Sequence, residues 1–306
     1  MPVSLQARLF IGVMRASRVP RWLGRRASRG GRADPHGGGI VACARRPPAG
    51  TTVALADAGG SPAGWVMPKG GDSGAVIYYL HGGAYTFGAM TTYRDLLGFL
   101  VRRTRARALW LDYRLAPECP FPAAVDDALA GYRWLLEQGV APQRIVLAGD
   151  SAGGGLALAT LLAAREAGLP LPAGATLLSP WTDLTGESSS AKSRAAVDPM
   201  VRGAGIAAGG RVYLAGADPR TPLASPLFAD LHGLPPLLIH VGDAETLLDD
   251  SRSLGQRARD AGVEVTLHIW PGMFHVFPVF PALLPESRAA ADETARAIIR
   301  MVGTKA

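Results

Sequence analysis

The sequence predicts an α/β fold in which helices cover both faces of a mostly parallel sheet. Short apolar runs of strand length alternate along the chain with longer segments whose apolar residues follow helical spacing, and this alternation is typical of parallel strands joined by crossover helices. Hydrophobic residues make up 48% and charged residues 19% of the 306 positions, which indicates a large buried core rather than disorder. The length fits one large domain with a smaller appendage.

The predicted elements follow a regular order. Strands are predicted at residues 51–56, 64–67, 75–80, 107–113, 144–148, 236–241 and 263–270, and a Gly- and Pro-containing turn joins the first two. Helices are predicted at residues 123–137, 156–166, 247–260 and 286–301, with a short helical piece at 206–214. The pattern fails between residues 182 and 227, where Ser, Gly, Ala and Pro are frequent. This stretch is predicted to be an insertion over the carboxyl edge of the sheet.

Residues 149–154 have the sequence Gly-Asp-Ser-Ala-Gly-Gly and lie between a predicted strand and a predicted helix. Glycines are expected beside Ser151 because a tight turn there would bring any side chain against the neighbouring strand and helix. The turn leaves the Ser151 hydroxyl exposed at the carboxyl edge of the sheet, and the first N–H groups of the helix favour a nearby negative charge. This pattern predicts a nucleophilic serine.

A second glycine motif, His81-Gly82-Gly83-Ala84, follows the predicted strand 75–80. Acyl transfer produces an oxyanion, which needs N–H donors that are already aimed at it. Glycines let the backbone approach a substrate without obstruction from side chains. We therefore expect an oxyanion hole with donors from Gly82, Gly83 or Ala84, together with the N–H of Ala152.

A serine needs a base, and His275 is the predicted base among six histidines. It lies in a loop directly after the last predicted strand. Where a nucleophilic serine lies at a strand-to-helix turn of an α/β sheet, the catalytic residues follow in the order serine, acid, histidine, and the base occupies such a loop. His240 and His268 lie inside apolar strands, so we expect structural roles for them. The remaining histidines are His36 in a Gly-rich segment, His81 in the glycine motif above and His232 in a polar turn.

The acid is expected in the loop after strand 236–241, where four carboxylates compete. Asp249 and Asp250 are expected to serve the N-terminal turn of the next helix. The choice then lies between Glu245 and Asp243, because either could orient the imidazole of the base and stabilise its charged form. Spacing alone leaves this choice open.

Positive charge is concentrated at the beginning of the chain. Residues 1–50 hold ten arginines and a single acid, a balance of +9, whereas the whole chain carries +7 and the remainder therefore −2. Apolar residues alternate with arginines between Leu5 and Arg18. Three interpretations remain open for this arm: a helix packed over the active site, a loosely ordered arm, or an interfacial membrane contact.

Other classes of protein are not indicated. The paired arginines Arg25-Arg26 are not followed by a hydrophobic core, so a secretory signal is not expected, and no apolar run is long enough for stable membrane insertion. No basic face with aromatic platforms predicts nucleic-acid binding. Cys43 and Cys119 give neither metal spacing nor a disulfide framework, so a cytoplasmic location is expected. A homodimer is left open.

The motifs together resemble those of the bacterial hormone-sensitive-lipase-like esterases, which are family IV, the fold-3 group of α/β-hydrolases. The resemblance runs from about residue 60 onward. It rests on residues 81–84, 112–118, 121–124, 149–154, 179–184, 198–199 and 271–275. It implies an α/β-hydrolase body at 51–184 and 226–306, with a cap formed by 1–50 and 185–225.

The resemblance also assigns residue roles. It implies Glu245 as the acid, two residues before the pattern Leu-Leu-Asp-Asp at 247–250, although many members have aspartate there. Ala84 replaces the third glycine of the family's oxyanion loop, which keeps the backbone donor and adds a methyl group. Arg114 and Glu118 are expected to pair and hold the loop beneath the active site.

These observations predict a serine carboxylesterase that hydrolyses short-chain acyl esters through Ser151, His275 and Glu245 and an acyl-enzyme intermediate, without a metal or organic cofactor. A lactone hydrolase or acetyl-hydrolase of the same family is the nearest alternative, because a cyclic ester passes through the same intermediate. A catalytically silent protein that binds a small ligand on the same fold is a more distant alternative. An acyltransferase would need a pocket that excludes water.

Overall fold

The computed structural model describes residues 3–16, 38–201 and 203–303. Within these ranges the strands are β1 (Thr51–Asp57), β2 (Pro62–Pro68), β3 (Val76–Leu80), β4 (Arg107–Leu111), β5 (Ile145–Asp150), β6 (Gly174–Leu178), β7 (Leu237–Gly242) and β8 (Val265–Trp270). The helices are α1 (Leu5–Ala16), α2 (Gly38–Arg45), α3 (Met90–Thr104), α4 (Ala123–Glu137), α5 (Ala152–Glu166), α6 (Ser189–Ser193), α7 (Gly203–Leu214), α8 (Leu248–Asp260) and α9 (Pro285–Met301). The predicted strands and helices are all present, most of them within three residues of the predicted bounds.

The eight strands form one sheet in the order β1-β2-β4-β3-β5-β6-β7-β8. Pairing is antiparallel from β1 through β2 to β4 and parallel across the rest of the sheet. This confirms the predicted α/β fold with a mostly parallel sheet. The central strands β3, β5, β6 and β7 are buried along their whole length, as expected for strands covered on both faces.

Helices cover the sheet from both sides. One face packs against α4, α5 and α8, and the other packs against α2, α3 and α9. Successive side chains of β3 point to opposite faces of the sheet. Tyr78 packs in the core on the side of α4, α5 and α8, and Ile77 and Tyr79 pack in the core on the side of α2, α3 and α9. The sheet is therefore a fixed platform for the loops at its carboxyl edge.

Parallel pairing brings the carboxyl ends of the central strands to one edge. Leu80 pairs with Gly149, Asp150 with Leu178, and His240 with Leu178 on the opposite side of β6. The loops that follow β3, β5, β6, β7 and β8 therefore emerge side by side. This edge is where ligands bind in open α/β sheets.

The predicted insertion contains α6 and α7. A Cβ atom placed on Gly209 of α7 would lie 3.2 Å from the Cβ of Ala84, so α7 packs closely against the Gly-rich loop after β3. This places the helix over the carboxyl edge of the sheet, as expected for residues between 182 and 227.

The start of the chain forms α1, which packs beside the loop that carries His275. Ala7 is buried against Met273 and Phe274, and the ring of Phe10 stacks on Phe274 with centroids 5.4 Å apart. Residues 17–37 of the expected cap segment, including Arg25-Arg26 and His36, lie outside the described residues. No helix in the described ranges combines the length and apolar character needed to cross a bilayer.

Candidate active site

Ser151 lies at the turn between β5 and α5 with φ 51° and ψ −122°, a region that non-glycine residues rarely occupy. Its N–H donates to the carbonyl of Leu178 at 2.9 Å, which fixes the turn to the neighbouring strand. A Cβ atom on Gly149 would approach the Leu80 carbonyl to 2.8 Å, and one on Gly153 would collide with the backbone of Leu80 and His81. The crowding predicted around the serine is therefore present.

The His275 side chain reaches Ser151. Its Nε2 atom lies 2.9 Å from Ser151 Oγ, a hydrogen-bond distance. The histidine is 3% exposed, so its ring is surrounded by protein and has little contact with solvent. The two side chains have the geometry in which a base removes a hydroxyl proton.

Glu245, rather than Asp243, lies beside His275. Its Oε1 atom is 3.6 Å from His275 Nδ1, and neither atom has a hydrogen-bond partner among the described residues. This separation is longer than a hydrogen bond but within the range of an ion pair. Asp243 instead accepts the N–H of Gly272 at 2.6 Å and so belongs to the turn beneath the histidine loop.

Ser179 connects the acid to the histidine loop, a role that the sequence did not predict. The buried Ser179 hydroxyl donates to Glu245 Oε2 at 2.8 Å and accepts the N–H of Val276 at 3.1 Å. Gly242 N–H donates to the same Oε2 atom at 3.0 Å. The sequence signal was the motif at residues 179–184, to which no role had been assigned; in the structure Ser179 directly follows β6 at the carboxyl edge of the sheet.

Burial and the neighbouring carboxylates shift the pKa of His275 in opposite directions. Burial alone would lower the pKa of His275, but the carboxylates of Glu245, Asp198 and Asp150 together more than offset it, so the pKa of His275 lies above its usual value. Burial raises the pKa of Glu245, and His275 opposes this change. The charged imidazole is therefore stabilised at this position.

The expectation for Gly82 requires correction. Its N–H donates to Asp150 Oδ1 at 2.9 Å, so it is directed at a buried carboxylate and is unavailable to an oxyanion. The same oxygen accepts the Tyr79 hydroxyl at 2.9 Å, and Oδ2 accepts the Tyr93 hydroxyl at 3.4 Å. Burial raises the pKa of Asp150 to about 6, and these donors oppose the increase. Asp150 therefore anchors the glycine loop.

Gly83, Ala84 and Ala152 present N–H groups that have no acceptor among the described residues. Gly83 has φ 122° and Ala84 has φ 52°, so the loop turns sharply after Gly82. The carbonyl of Gly83 accepts the N–H of Thr86 at 3.0 Å, which closes the turn. Three donors at this edge remain available to a ligand.

Carboxylates on the body hold the insertion in place. Asp249 and Asp250 lie in the first turn of α8 as predicted, but neither caps that turn by a side-chain hydrogen bond, and their carboxylates bind other parts of the chain instead. Asp250 Oδ2 accepts the N–H groups of Thr182 and Asp183 at 2.8 and 2.9 Å, and Asp249 accepts that of Ser190 at 2.7 Å. Burial raises the pKa of Asp250 to about 8. Both residues therefore connect α8 to the segment after β6.

Asp198 forms a similar connection from the insertion toward the acid loop. One carboxylate oxygen accepts the N–H of Thr246, the residue after Glu245, at 3.0 Å. The other accepts the N–H groups of Met200 and Val201 at 2.9 and 3.2 Å. Asp198 is 4% exposed, and burial raises its pKa while His275 opposes that change.

Arg114 was expected to pair with Glu118, but in the structure it pairs with a different carboxylate. Its guanidinium binds Asp127 of α4, with Nη2 2.6 Å and Nε 2.9 Å from Oδ1. The N–H of Arg114 also donates to Asp127 Oδ2 at 2.8 Å. These contacts tie the loop after β4 to α4.

The other buried histidines are structural. Burial lowers the pKa of His81 to about 4, and its ring stacks on Tyr113 with centroids 4.2 Å apart. His240 Nδ1 accepts the indole N–H of Trp270 at 2.9 Å, and burial lowers its pKa to about 3. His240, His268 and Glu293 bring donor atoms within 4.8 Å of one another. The indole bond leaves the His240 proton on Nε2, which opposes metal binding at that atom.

Comparison with known proteins places the chain in a family. A family model described as alpha/beta hydrolase fold matches residues 77–279. Over 236 residues the chain is 51% identical to "Acetyl-hydrolase" of Streptomyces hygroscopicus, covering 77% of this chain and 78% of the relative. It is 39% identical over 221 residues to "Esterase" of Acinetobacter venetianus, with coverage of 72% and 73%. A crystal structure of an esterase from the bacterial hormone-sensitive lipase family matches with TM-score 0.86 and 40% identity, covering 99% of this chain and 100% of that one.

Proposed function

The chain belongs to the α/β-hydrolase fold family and, within it, to the bacterial hormone-sensitive-lipase-like esterases, and from this premise we propose that Ser151, His275 and Glu245 are its catalytic triad. It is a carboxylic ester hydrolase that acts on small esters. The observation that carries the proposal is the 2.9 Å contact between Ser151 Oγ and His275 Nε2, with Glu245 at the other ring nitrogen.

The proposed reaction has two steps. Ser151 Oγ attacks the ester carbonyl carbon while His275 Nε2 takes the hydroxyl proton, and His275 then gives that proton to the alkoxide that leaves as the alcohol. Water attacks the acyl-enzyme with His275 again as base, which releases the carboxylic acid and restores the Ser151 hydroxyl. Glu245 stabilises the imidazolium that forms in both steps, in line with the raised pKa of His275.

The N–H groups of Gly83, Ala84 and Ala152 form the proposed oxyanion hole. They have no acceptor among the described residues, and that of Ala152 begins α5, whose N-terminus carries partial positive charge. Donors fixed before the reaction stabilise the tetrahedral oxyanion without reorganisation, and loss of one such donor reduces kcat by about 10²-fold or more in comparable sites. Gly82 is not included, because its N–H is engaged by Asp150.

The proposed substrates have short acyl groups. Gly209 of α7 lies so close to Ala84 that a Cβ atom would be 3.2 Å from the Ala84 methyl carbon, which limits the space above the oxyanion loop. The name of the acetyl-hydrolase relative agrees with a small acyl group. Lactones remain the alternative, since their ring opening uses the same intermediate.

The domain division, the cellular location and the oligomeric state are also proposals. We retain a cap formed by 1–50 and 185–225 on a catalytic body formed by 51–184 and 226–306. A cytoplasmic location is supported by the two free cysteines, Cys43 and Cys119, and cell fractionation would test it. A homodimer would be detected by light scattering of the purified chain.

Turnover of p-nitrophenyl esters of increasing acyl length, with γ- and δ-lactones beside them, tests the proposed function. We expect acetate and butyrate esters to be hydrolysed fastest, and Ser151→Ala to reduce kcat by about 10³-fold or more, because only binding and the oxyanion hole then remain. A fluorophosphonate should label Ser151 in the wild-type protein and not in the variant. Ser151→Ala activity within tenfold of wild type would remove the assignment, and faster turnover of lactones than of every ester would favour the alternative.

A further inference from the structure

Helix α1 has two apolar faces, of which only one is packed. Ala7 and Phe10 lie against the His275 loop and α9. On the opposite side Leu5, Leu9 and Val13 are 69%, 62% and 66% exposed. These three residues, spaced by four, form one line along the helix, which we call the outer stripe. A helix packed on one side normally presents polar residues on the other, so the outer stripe needs a separate explanation.

The outer stripe is a concentrated feature rather than scattered exposure. The described residues contain six exposed large hydrophobic side chains, and three of them belong to this single twelve-residue helix. Gly12 and Ala16 lie on the same face of the helix, and they add no polar group to it. Single exposed apolar residues are ordinary, whereas a contiguous group marks a surface that binds something.

Positive charge borders the outer stripe. Arg8 and Arg15 are exposed on one flank of the same helix, and residues 1–50 carry ten arginines with Asp34 as the single acid. An apolar line with arginines beside it is the pattern of a helix that lies in the interface of a bilayer and contacts anionic headgroups. Two copies of this chain joined through the outer stripe would bring these arginines together, which like charges oppose.

We propose that the outer stripe of α1 docks on a lipid bilayer surface that carries anionic headgroups. The helix lies parallel to that surface, with Leu5, Leu9 and Val13 among the acyl chains and Arg8 and Arg15 at the phosphates. Residues 51–306 have a net charge of −2, so the electrostatic attraction to such a surface comes from residues 1–50.

Contacts of α1 with the body give this docking a direction. The Ser4 N–H and hydroxyl donate to the Glu286 carboxylate at 2.6 and 2.9 Å, which holds the start of α1 on α9. Arg15 Nη2 donates to the Val197 carbonyl of the insertion at 2.9 Å. A surface bound to the outer stripe therefore faces the side of the molecule that carries the His275 loop and the insertion, where esters dissolved in the bilayer would arrive.

Flotation of the full chain with vesicles tests the proposal. One set of vesicles contains equal parts phosphatidylglycerol and phosphatidylcholine, and the other contains phosphatidylcholine alone. We expect binding to the anionic set to be at least about tenfold tighter and to weaken when NaCl is raised to about 0.5 M. Leu5→Gln/Leu9→Gln should lose about tenfold or more of the binding, because the buried apolar area falls.

Leu55→Gln is the matched control, since Leu55 is 61% exposed but lies on the edge strand β1. It should bind like wild type, and both variants should hydrolyse a water-soluble acetate ester at the wild-type rate. Ser151→Ala should also bind like wild type, so docking is measured independently of the proposed catalytic role. Absence of binding to anionic vesicles, or equal loss in the Leu55 variant, would overturn the proposal. So would a wild-type dimer that Leu5→Gln/Leu9→Gln converts to a monomer without any vesicle binding.

Discussion

Glu245 and Asp243 lie two residues apart in the chain, yet their carboxylates face different parts of the site. Glu245 is fully buried beside His275 Nδ1, whereas Asp243 accepts the N–H of Gly272 in the turn below. We expect Glu245→Gln to lower kcat by at least about 10²-fold, because a neutral amide does not stabilise the imidazolium and can hold the neutral imidazole in the wrong tautomer.

Asp243→Asn provides the comparison for that variant. It should keep kcat within a few-fold of wild type and instead lower the melting temperature, since the Gly272 N–H loses a charged acceptor. Steady-state kinetics on a short-chain ester and thermal melts of both variants decide the matter. An inactive Asp243→Asn beside an active Glu245→Gln would identify Asp243 as the acid.

Ser179 acts on the acid and the histidine loop at the same time. Its hydroxyl joins Glu245 Oε2 to the Val276 N–H. Ser179→Ala should therefore lower kcat by about tenfold with little change in KM, because the acid loses a hydrogen bond and its position relaxes. The kcat–pH profile should also move, since the carboxylate that holds the His275 pKa up is less well fixed.

Ser251→Ala is the control for this variant. Ser251 is also fully buried, but its hydroxyl has no hydrogen-bond partner among the described residues. Its removal should leave kcat and the pH profile unchanged. If the two serine variants behave alike, Ser179 is only a packing residue.

At the scale of elements, local patterns predicted positions but not partners. Ser151 and His275 were found because a strand followed by a specific loop is a local signal. The engagement of Gly82 by Asp150 and of Arg114 by Asp127 was missed, because those pairs are 68 and 13 residues apart in the chain. Strand β4 ends at Leu111 rather than at the predicted residue 113, and beyond it the Tyr113 hydroxyl donates to the His81 carbonyl at 2.6 Å.

Asp198 links the element that covers the site to the loop that carries the acid. Its negative charge helps to raise the pKa of His275, after the larger contribution from Glu245. The base must be neutral to accept a proton, so activity is lost as pH falls through the raised pKa. Asp198→Asn should lower that pKa and shift the acid limb of kcat/KM to lower pH by up to about one unit.

Asp218→Asn is the control, because Asp218 is an exposed carboxylate of the same insertion. Its pH profile should match that of wild type. The measurement is kcat/KM for a short-chain ester between about pH 4 and pH 8, which reports the free enzyme. An acid limb of Asp198→Asn that stays in place or moves to higher pH would show that Asp198 does not influence His275 electrostatically.

Across the whole molecule, buried carboxylates join the parts that the sequence separates. Asp150 joins β5 to the glycine loop, Asp198 joins the insertion to the acid loop, and Asp250 joins α8 to the segment after β6. Each accepts backbone N–H groups from a distant part of the chain, which gives the loops at the carboxyl edge fixed positions. The arrangement also makes stability depend on pH, because burial opposes the ionised form of each group.

Asp250 should dominate that dependence in the neutral range. Its pKa is raised from 3.8 in the unfolded chain to about 8 in the folded protein, so between these values the folded state holds a proton that the unfolded state has released. This stabilisation is fully present below the unfolded value and is lost as pH rises through the folded one, with a slope of at most roughly 1.4 kcal/mol per pH unit.

Asp250→Asn removes that titration and keeps a carbonyl oxygen that can accept the N–H groups of Thr182 and Asp183. Urea unfolding of both proteins at about pH 6, 7 and 8 measures the difference. We expect the free energy of unfolding of wild type to fall with pH relative to that of the variant. The stability of the variant relative to wild type should therefore increase from about pH 6 to about pH 8. Parallel pH profiles would mean that Asp250 is ionised throughout the range, held by its N–H donors in spite of its burial.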